Sequence, residues 1–309
     1  TPKLVAKEGT EVKAGDTLFY SKSDERILFP SPVSGKVVEV VRGARRKVLA
    51  MKIAADTTQE HKDFGIKDIA KMSAEEVKNH LFTSGCWPFV KQRPYDVVAN
   101  PNQAPKSIFI SAYASAPLAA DTSFTLAGKE AELQVAVNAI SKLTEGSVHI
   151  AIGNDEISPL ANLSGAEIHK VSGVHPAGNV GIQIHHIDPI NAGERVWVIN
   201  PEDVAILGRF FQTGKFEAQR TIALSGSGVA KPVYLKTVIG ATIASLLQAE
   251  DIENAPNYHF VKANILEATA LKEIFEKHAI TDVIHLAAES HVDRSIVSPL
   301  DFVFWLASS

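Results

Sequence analysis

The chain has 309 residues, 45% hydrophobic and 21% charged, a mix that can fill the cores of two or three domains. Its net charge of -4 gives no footing for nucleic-acid binding, and its single cysteine, Cys86, excludes an internal disulfide and any cysteine-ligated zinc or iron–sulfur centre within the chain. No apolar run approaches the roughly 20 residues that a membrane span needs, and Thr1-Pro-Lys-Leu-Val reads as the middle of a domain without a signal peptide. The plain expectation is a soluble cytoplasmic protein that meets a membrane only through a partner.

Residues 1–55 predict short strands. Val5, Val12, Leu18, Phe19, Ile27, Phe29, Val33 and Val37 sit in brief runs, punctuated by Glu8-Gly9, Ala14-Gly15-Asp16 and Ser34-Gly35. That spacing implies a small barrel or sandwich. The pairing of VKAGD with PSPVSGKV resembles a biotinyl/lipoyl-type barrel-sandwich hammerhead. Carrier domains of that type place a modified lysine after an aspartate in the intervening hairpin. Here Glu25 follows Asp24, and a glutamate cannot form the amide to lipoate or biotin. The resemblance therefore implies the fold without the swinging arm.

Residues 56–106 read as a linker and a helix. The stretch 56–72 is polar, with one short helix. Ser73 and Glu76 form a capping box, Val77, Leu81 and Phe82 supply an apolar face, and Gly85 stops the helix. Pro94, Pro101 and Pro105 predict an extended loop over 92–106. From 107 to 247 the pattern is α/β. Strands are expected at 107–112, 147–153, 167–173, 195–200 and 220–226, with a helix at 129–143 that turns Leu133, Val137 and Ile140 to one face. Asn200 and Pro201 open a further helix that Gly214 ends. Strands alternating with crossover helices predict a parallel sheet.

The segment HPAGNVGIQIHHIDP (175–189), within 173–241, resembles the A subunit of the sodium-translocating NADH:quinone reductase, as do TSGCWPFVKQRP (83–94) and SIFISAYASAPLA (107–119). The resemblance covers residues 1–247. It implies further residues before Thr1 and a further C-terminal domain. It also implies a peripheral subunit on the cytoplasmic face of the bacterial inner membrane, in a complex that passes electrons from NADH to quinone and moves Na+. Integral membrane subunits would be its partners, and NAD and flavins would belong to those partners. The family is related in fold to the flavin-carrying subunit of respiratory complex I. The glycine-crowded FMN loop of that relative corresponds here to 84–96, which has one glycine, Trp87 and two prolines, a poor phosphate cradle. No cofactor is expected on this chain.

His169, His175, His185 and His186 lie close in sequence. Read as neighbours in a strand, His185 and His186 would point to opposite faces, and no Asp, Glu or Cys stands at a recognised metal spacing. No metal ligands and no catalytic residues are assigned. Each histidine taken singly favours a structural or interface role. If quinone binds, the expected contacts are His175, Ile182, Ile184, His185 and His186, with imidazole donors beside apolar walls. Ser225-Gly226-Ser227-Gly228 lacks a following GK[ST] and reads as a plain tight loop.

From about residue 249 the pattern changes. The stretch 254–303, with HLAAESHVDRSI at 285–296, resembles a fragment of dTDP-glucose 4,6-dehydratase. It reads as one βαβ step of a Rossmann-like sheet, with a strand at 258–262, a helix at 268–278 and a strand at 282–287. The glycine-rich turn and the active-site Tyr and Lys of that family have no counterpart here. A partial nucleotide-sugar dehydratase and a purely structural scaffold are the alternative readings.

Overall fold

The computed structural model describes residues 2–154, 157–226, 229–247 and 267–278. The chain divides into two units, residues 1–253 and 254–309. The first unit begins with six strands: β1 (Pro2–Leu4), β2 (Glu11–Val12), β3 (Thr17–Ser21), β4 (Leu28–Pro30), β5 (Gly35–Arg42) and β6 (Val48–Ala55). They form two antiparallel three-stranded sheets, ordered β1-β3-β4 and β2-β5-β6. Ala6, Val12, Leu18 and Val37 are buried between them. This is the barrel-sandwich that the resemblance implied.

The hairpin between β3 and β4 does not stand free. Arg26 grips Asp24 with two hydrogen bonds, donates to Asn102 Oδ1 at 2.8 Å, and lies 5.3 Å over the Phe82 ring. Ile27 is buried in the main core, and Phe29 packs against it.

Helix α1 (Ala74–Ser84) carries the expected capping box between Ser73 and Glu76, and Gly85 ends it in the left-handed conformation. Proline spacing predicted loop after this point. Instead β7 (Lys91–Arg93) and β8 (Val97–Val98) pair as a small antiparallel hairpin on the edge of the sheet. The difference is physical: Pro94 lies in the turn between them, where its missing N–H costs no ladder bond. Trp87, fully buried, donates its indole N–H to Ala99 O at 2.8 Å and meets Trp197 edge to face at 5.2 Å.

The remaining elements of this unit are β9 (Ser107–Ser111), α2 (Thr122–Thr125), α3 (Glu130–Ile140), β10 (Val148–Gly153), β11 (Glu167–Val171), α4 (Val180–Ile187), β12 (Val196–Val198), α5 (Pro201–Thr213), β13 (Gln219–Leu224), β14 (Val233–Val238) and α6 (Ile243–Leu246). One sheet runs β11-β10-β9-β12-β7-β8, and its first four strands are parallel. The strand expected at 220–226 pairs, among the described residues, with β14 in a separate antiparallel hairpin. Asn200 sits at the N-cap of α5, but its side-chain oxygen accepts no capping bond from the helix N–H groups; its amide donates to Asp203 Oδ2 instead.

Strand alternation sorts the side chains. Ile108, Ile110, Ile150, Ile152 and Trp197 turn into the large core with α3 and α5, whereas Phe109, Val196 and Val198 face the other way, onto Ile184 of α4. Helices α3 and α5 touch backbone to backbone, because Gly208 of α5 sits against the Glu132 carbonyl of α3. Arg209 holds the seam with two hydrogen bonds to Glu132, at 3.1 and 3.2 Å.

In the second unit, α7 (Ala268–His278) occupies the span read as a helix. The strands expected at 258–262 and 282–287, the HLAAESHVDRSI motif, and Ser227 and Gly228 lie outside the described residues. Among the described residues no helix is long and apolar enough to cross a membrane.

Replacing Gly208 with alanine would put a Cβ into the Glu132 carbonyl oxygen. We expect a loss of about 3 kcal/mol in denaturant unfolding, since overpacked contacts of this kind typically cost that much. The exposed Gly181→Ala, where a Cβ meets nothing, should change stability little and serves as the comparison.

Candidate functional site

Two loops meet at the carboxyl side of the parallel strands, the side on which open α/β sheets hold ligands. Residues 112–118 follow β9, and 172–179 follow β11. Tyr113 donates its hydroxyl to Gly173 O at 2.7 Å, and Ser115 Oγ accepts from the Gly178 N–H at 2.7 Å. Ser115 Oγ also lies 3.2 Å from His175 Nδ1. Position 178 has to be glycine, because a Cβ there would crowd the backbone of Tyr113 and Ser115.

This crossing launches α4. Val180, Ile184 and Ile187 form its apolar stripe against Phe109, Val196 and Val198. The far end is tied down by charge. Lys106 Nζ lies 2.6 Å from Asp188 Oδ1 and 3.1 Å from Glu194 Oε2, and Ser107 donates to Asp188 Oδ2 at 2.7 Å. Burial alone would raise the Asp188 carboxyl, but hydrogen bonds from Lys106 and Ser107 outweigh it and hold the group below its ordinary value.

A cleft of about 570 Å³ opens between α4 and β11. Ile168, Val171, Ala177, Ile182 and Ile187 give it apolar walls, and His169, Gln183 and His186 give it polar groups. Gln183 is buried; its amide N–H donates to Ala177 O at 3.2 Å, and its Oε1 has no hydrogen-bond partner among the described residues.

The structure separates the five residues expected from sequence. Ile182 and His186 line the cleft. Ile184 is buried beneath α4 and packs on the sheet. His175 stays at the loop crossing, bonded to Ser115. His185 is exposed and lies outside the cleft lining, its ring 5.2 Å from that of His186. The strand geometry expected for His185 and His186 is corrected: both lie on a helix, where successive side chains are about 100° apart. Positions 180, 184 and 187 match the helical period and bury one stripe.

Sequence reasoning passed over His149 and Gln183. His149 is the one polar side chain in the buried strand VHIAIG, and that isolation was its available signal. Its Nδ1 lies 3.0 Å from His169 Nε2, and its ring packs 4.7 Å from Phe109. Burial lowers the His149 pKa, and neighbouring Glu167 offsets this in part. Glu167 is held below its ordinary value first by the Ser147 hydroxyl. Cys86 is fully buried, and desolvation pushes its thiol up to about 12, so it is inert at neutral pH.

Comparison with known proteins adds three family models. Residues 1–56 match the NqrA N-terminal barrel-sandwich hybrid domain, 72–216 match the NqrA second alpha/beta domain, and 229–305 match GDP-mannose 4,6 dehydratase. The A subunit of the Na(+)-translocating NADH-quinone reductase of Neisseria meningitidis serogroup A is 35% identical over 254 residues, covering 82% of this chain and 57% of that protein. The corresponding protein of Photorhabdus laumondii is 30% identical over 306 residues, covering 97% and 68%. That of Yersinia pseudotuberculosis is 31% identical over 271 residues, covering 87% and 60%. The chain thus spans 57% of the length of its Neisseria relative.

The tether at Asp188 yields a pH prediction. A depressed carboxyl contributes stability that is present above its unfolded value of 3.8 and is lost as pH falls through the lower folded value. Asp188→Asn should cost about 2 kcal/mol at pH 7, the scale of hydrogen bonds to a charged group. It should also flatten the decline in stability below pH 4, as followed by urea midpoints across pH.

Proposed function

The chain belongs to the A-subunit family of the Na(+)-translocating NADH-quinone reductase, and from that premise we propose that it serves as a peripheral subunit of a sodium-pumping reductase, contacting quinone in the cleft between α4 and β11. NADH oxidation and the flavins belong, on this reading, to partner subunits. Integral membrane subunits hold the chain at the cytoplasmic face of the bacterial inner membrane.

The cleft carries the proposal. A quinone is an apolar ring with two carbonyl acceptors, so it needs apolar walls and one or two donors. Ile168, Ile182 and Ile187 supply walls, and the imidazoles of His169 and His186 supply donors. Gln183 also lines the cleft, with its Oε1 buried and without a hydrogen-bond partner among the described residues. His175 and Ser115 stand at the loop crossing and position the start of α4. Ile184 holds the helix to the sheet, and His185 has no role at the ring.

Residues 229–305 support a second, narrower reading, because they match a nucleotide-sugar dehydratase model. Within this sequence the glycine-rich turn and the Tyr–Lys pair of such enzymes have no counterpart, so we assign no dehydratase chemistry to the chain.

A photoreactive quinone analogue on the full chain tests the cleft. Labelled peptides should fall within 168–187, excess unlabelled quinone should suppress them, and Ile182→Asp should reduce labelling at least fivefold while unfolding stays unchanged. Labelling confined to other segments, or undiminished in Ile182→Asp, would refute the assignment.

A further inference from the structure

Parallel pairing sets His149 of β10 directly opposite Glu167 of β11, and His169 follows two residues later on the same strand. In a parallel sheet, paired residues and residues two apart on one strand share a face. All three side chains therefore stand on one face of the sheet, the one that Phe109 also occupies. Their ligating atoms converge. His149 Nδ1 lies 3.0 Å from His169 Nε2 and 3.4 Å from Glu167 Oε2, and His169 Nε2 lies 4.0 Å from that same oxygen.

We propose that His149, Glu167 and His169 form a binding site for a divalent cation of the zinc class. Three atoms with those separations have a common point about 2.1 Å from each, which is the bond length of Zn²⁺ to imidazole nitrogen and carboxylate oxygen. Two imidazoles and one carboxylate are a borderline donor set that suits Zn²⁺ and Co²⁺ better than Mg²⁺ or Ca²⁺. The surroundings fix the donors. Ser147 donates its hydroxyl to Glu167 Oε1, which leaves Oε2 for the cation. Phe109 packs against the His149 ring. Glu167 is more than half exposed, so the open side of the site admits water as a fourth ligand.

Without the cation, the 3.0 Å contact is an N–H···N bond whose donor depends on the tautomers of the two rings. With it, His149 binds through Nδ1 and keeps its proton on Nε2, His169 binds through Nε2 and keeps its proton on Nδ1, and any further ring proton leaves to solvent. The bound ion would clamp the edge strand β11 to β10. The proposal does not depend on quinone binding, although His169 also borders the cleft.

Zinc alone is the probe, on the full 309-residue chain. Zn²⁺ titration calorimetry, with metal analysis after dialysis, should give one equivalent per chain. His169→Ala and Glu167→Gln lie at the partly exposed edge and should fold; both should weaken binding at least tenfold. Ser147→Ala should weaken it roughly 10- to 100-fold, the usual effect of removing an outer-shell partner. Co²⁺ should give the intense visible bands of a four-coordinate site. Three results would overturn the proposal: no retained Zn²⁺, wild-type affinity in His169→Ala, or loss of binding only when His185 and His186 are replaced.

Discussion

A sheet covered on both faces tolerates a polar side chain only where that side chain has partners, and this constraint organises the α/β region. All six residues of β10 are buried. Val148, Ile150 and Ile152 enter the core under α3 and α5, whereas His149 turns to the other face, against Phe109. His149 stands on the α4 face of this strand, and an unpaired imidazole there would carry a desolvation cost of roughly 1–3 kcal/mol. Glu167 and His169 of the neighbouring strand meet it, so the register of β11 is fixed by polar pairing as well as by the backbone ladder. A slip of one residue would turn Glu167 and His169 to the opposite face.

The two helix layers are held by different physics. On one side Gly208 lets α5 close onto α3 until backbones touch, and the Arg209–Glu132 fork fixes the seam. The helices of that layer are eleven and thirteen residues long. On the other side α4 has eight residues, a single apolar stripe and an ionic tether at its end. Its outer flank leaves the cleft open. The thin layer borders the cleft, and the thick layer packs the larger of the two cores beneath it.

Much of this was legible from residues taken singly. Ser73, Glu76 and Gly85 announce α1 through rules that act within one turn. The apolar runs at 107–112 and 147–153 are too short and too β-branched for buried helices, and they form β9 and β10. What failed required partners distant in sequence. Nothing local reveals that Ile184 of HPAGNVGIQIHHIDP faces Phe109, because periodicities of two and of 3.6 both fit a short apolar run. The hairpin at 91–98 was hidden by Pro94, which reads as loop unless the turn is known. The His149, Glu167 and His169 set has no signature spacing at all: it exists only once β10 and β11 are aligned side by side.

The fastened hairpin of the first sheet changes what the barrel-sandwich is for. In carrier domains this loop is the element that travels. Here Arg26 joins it to Asn102 and Phe82, and Ile27 is embedded in the neighbouring core. The hairpin shares one packed core with α1 and Trp87, and the scaffold that elsewhere presents a mobile arm is in this chain anchored at its tip.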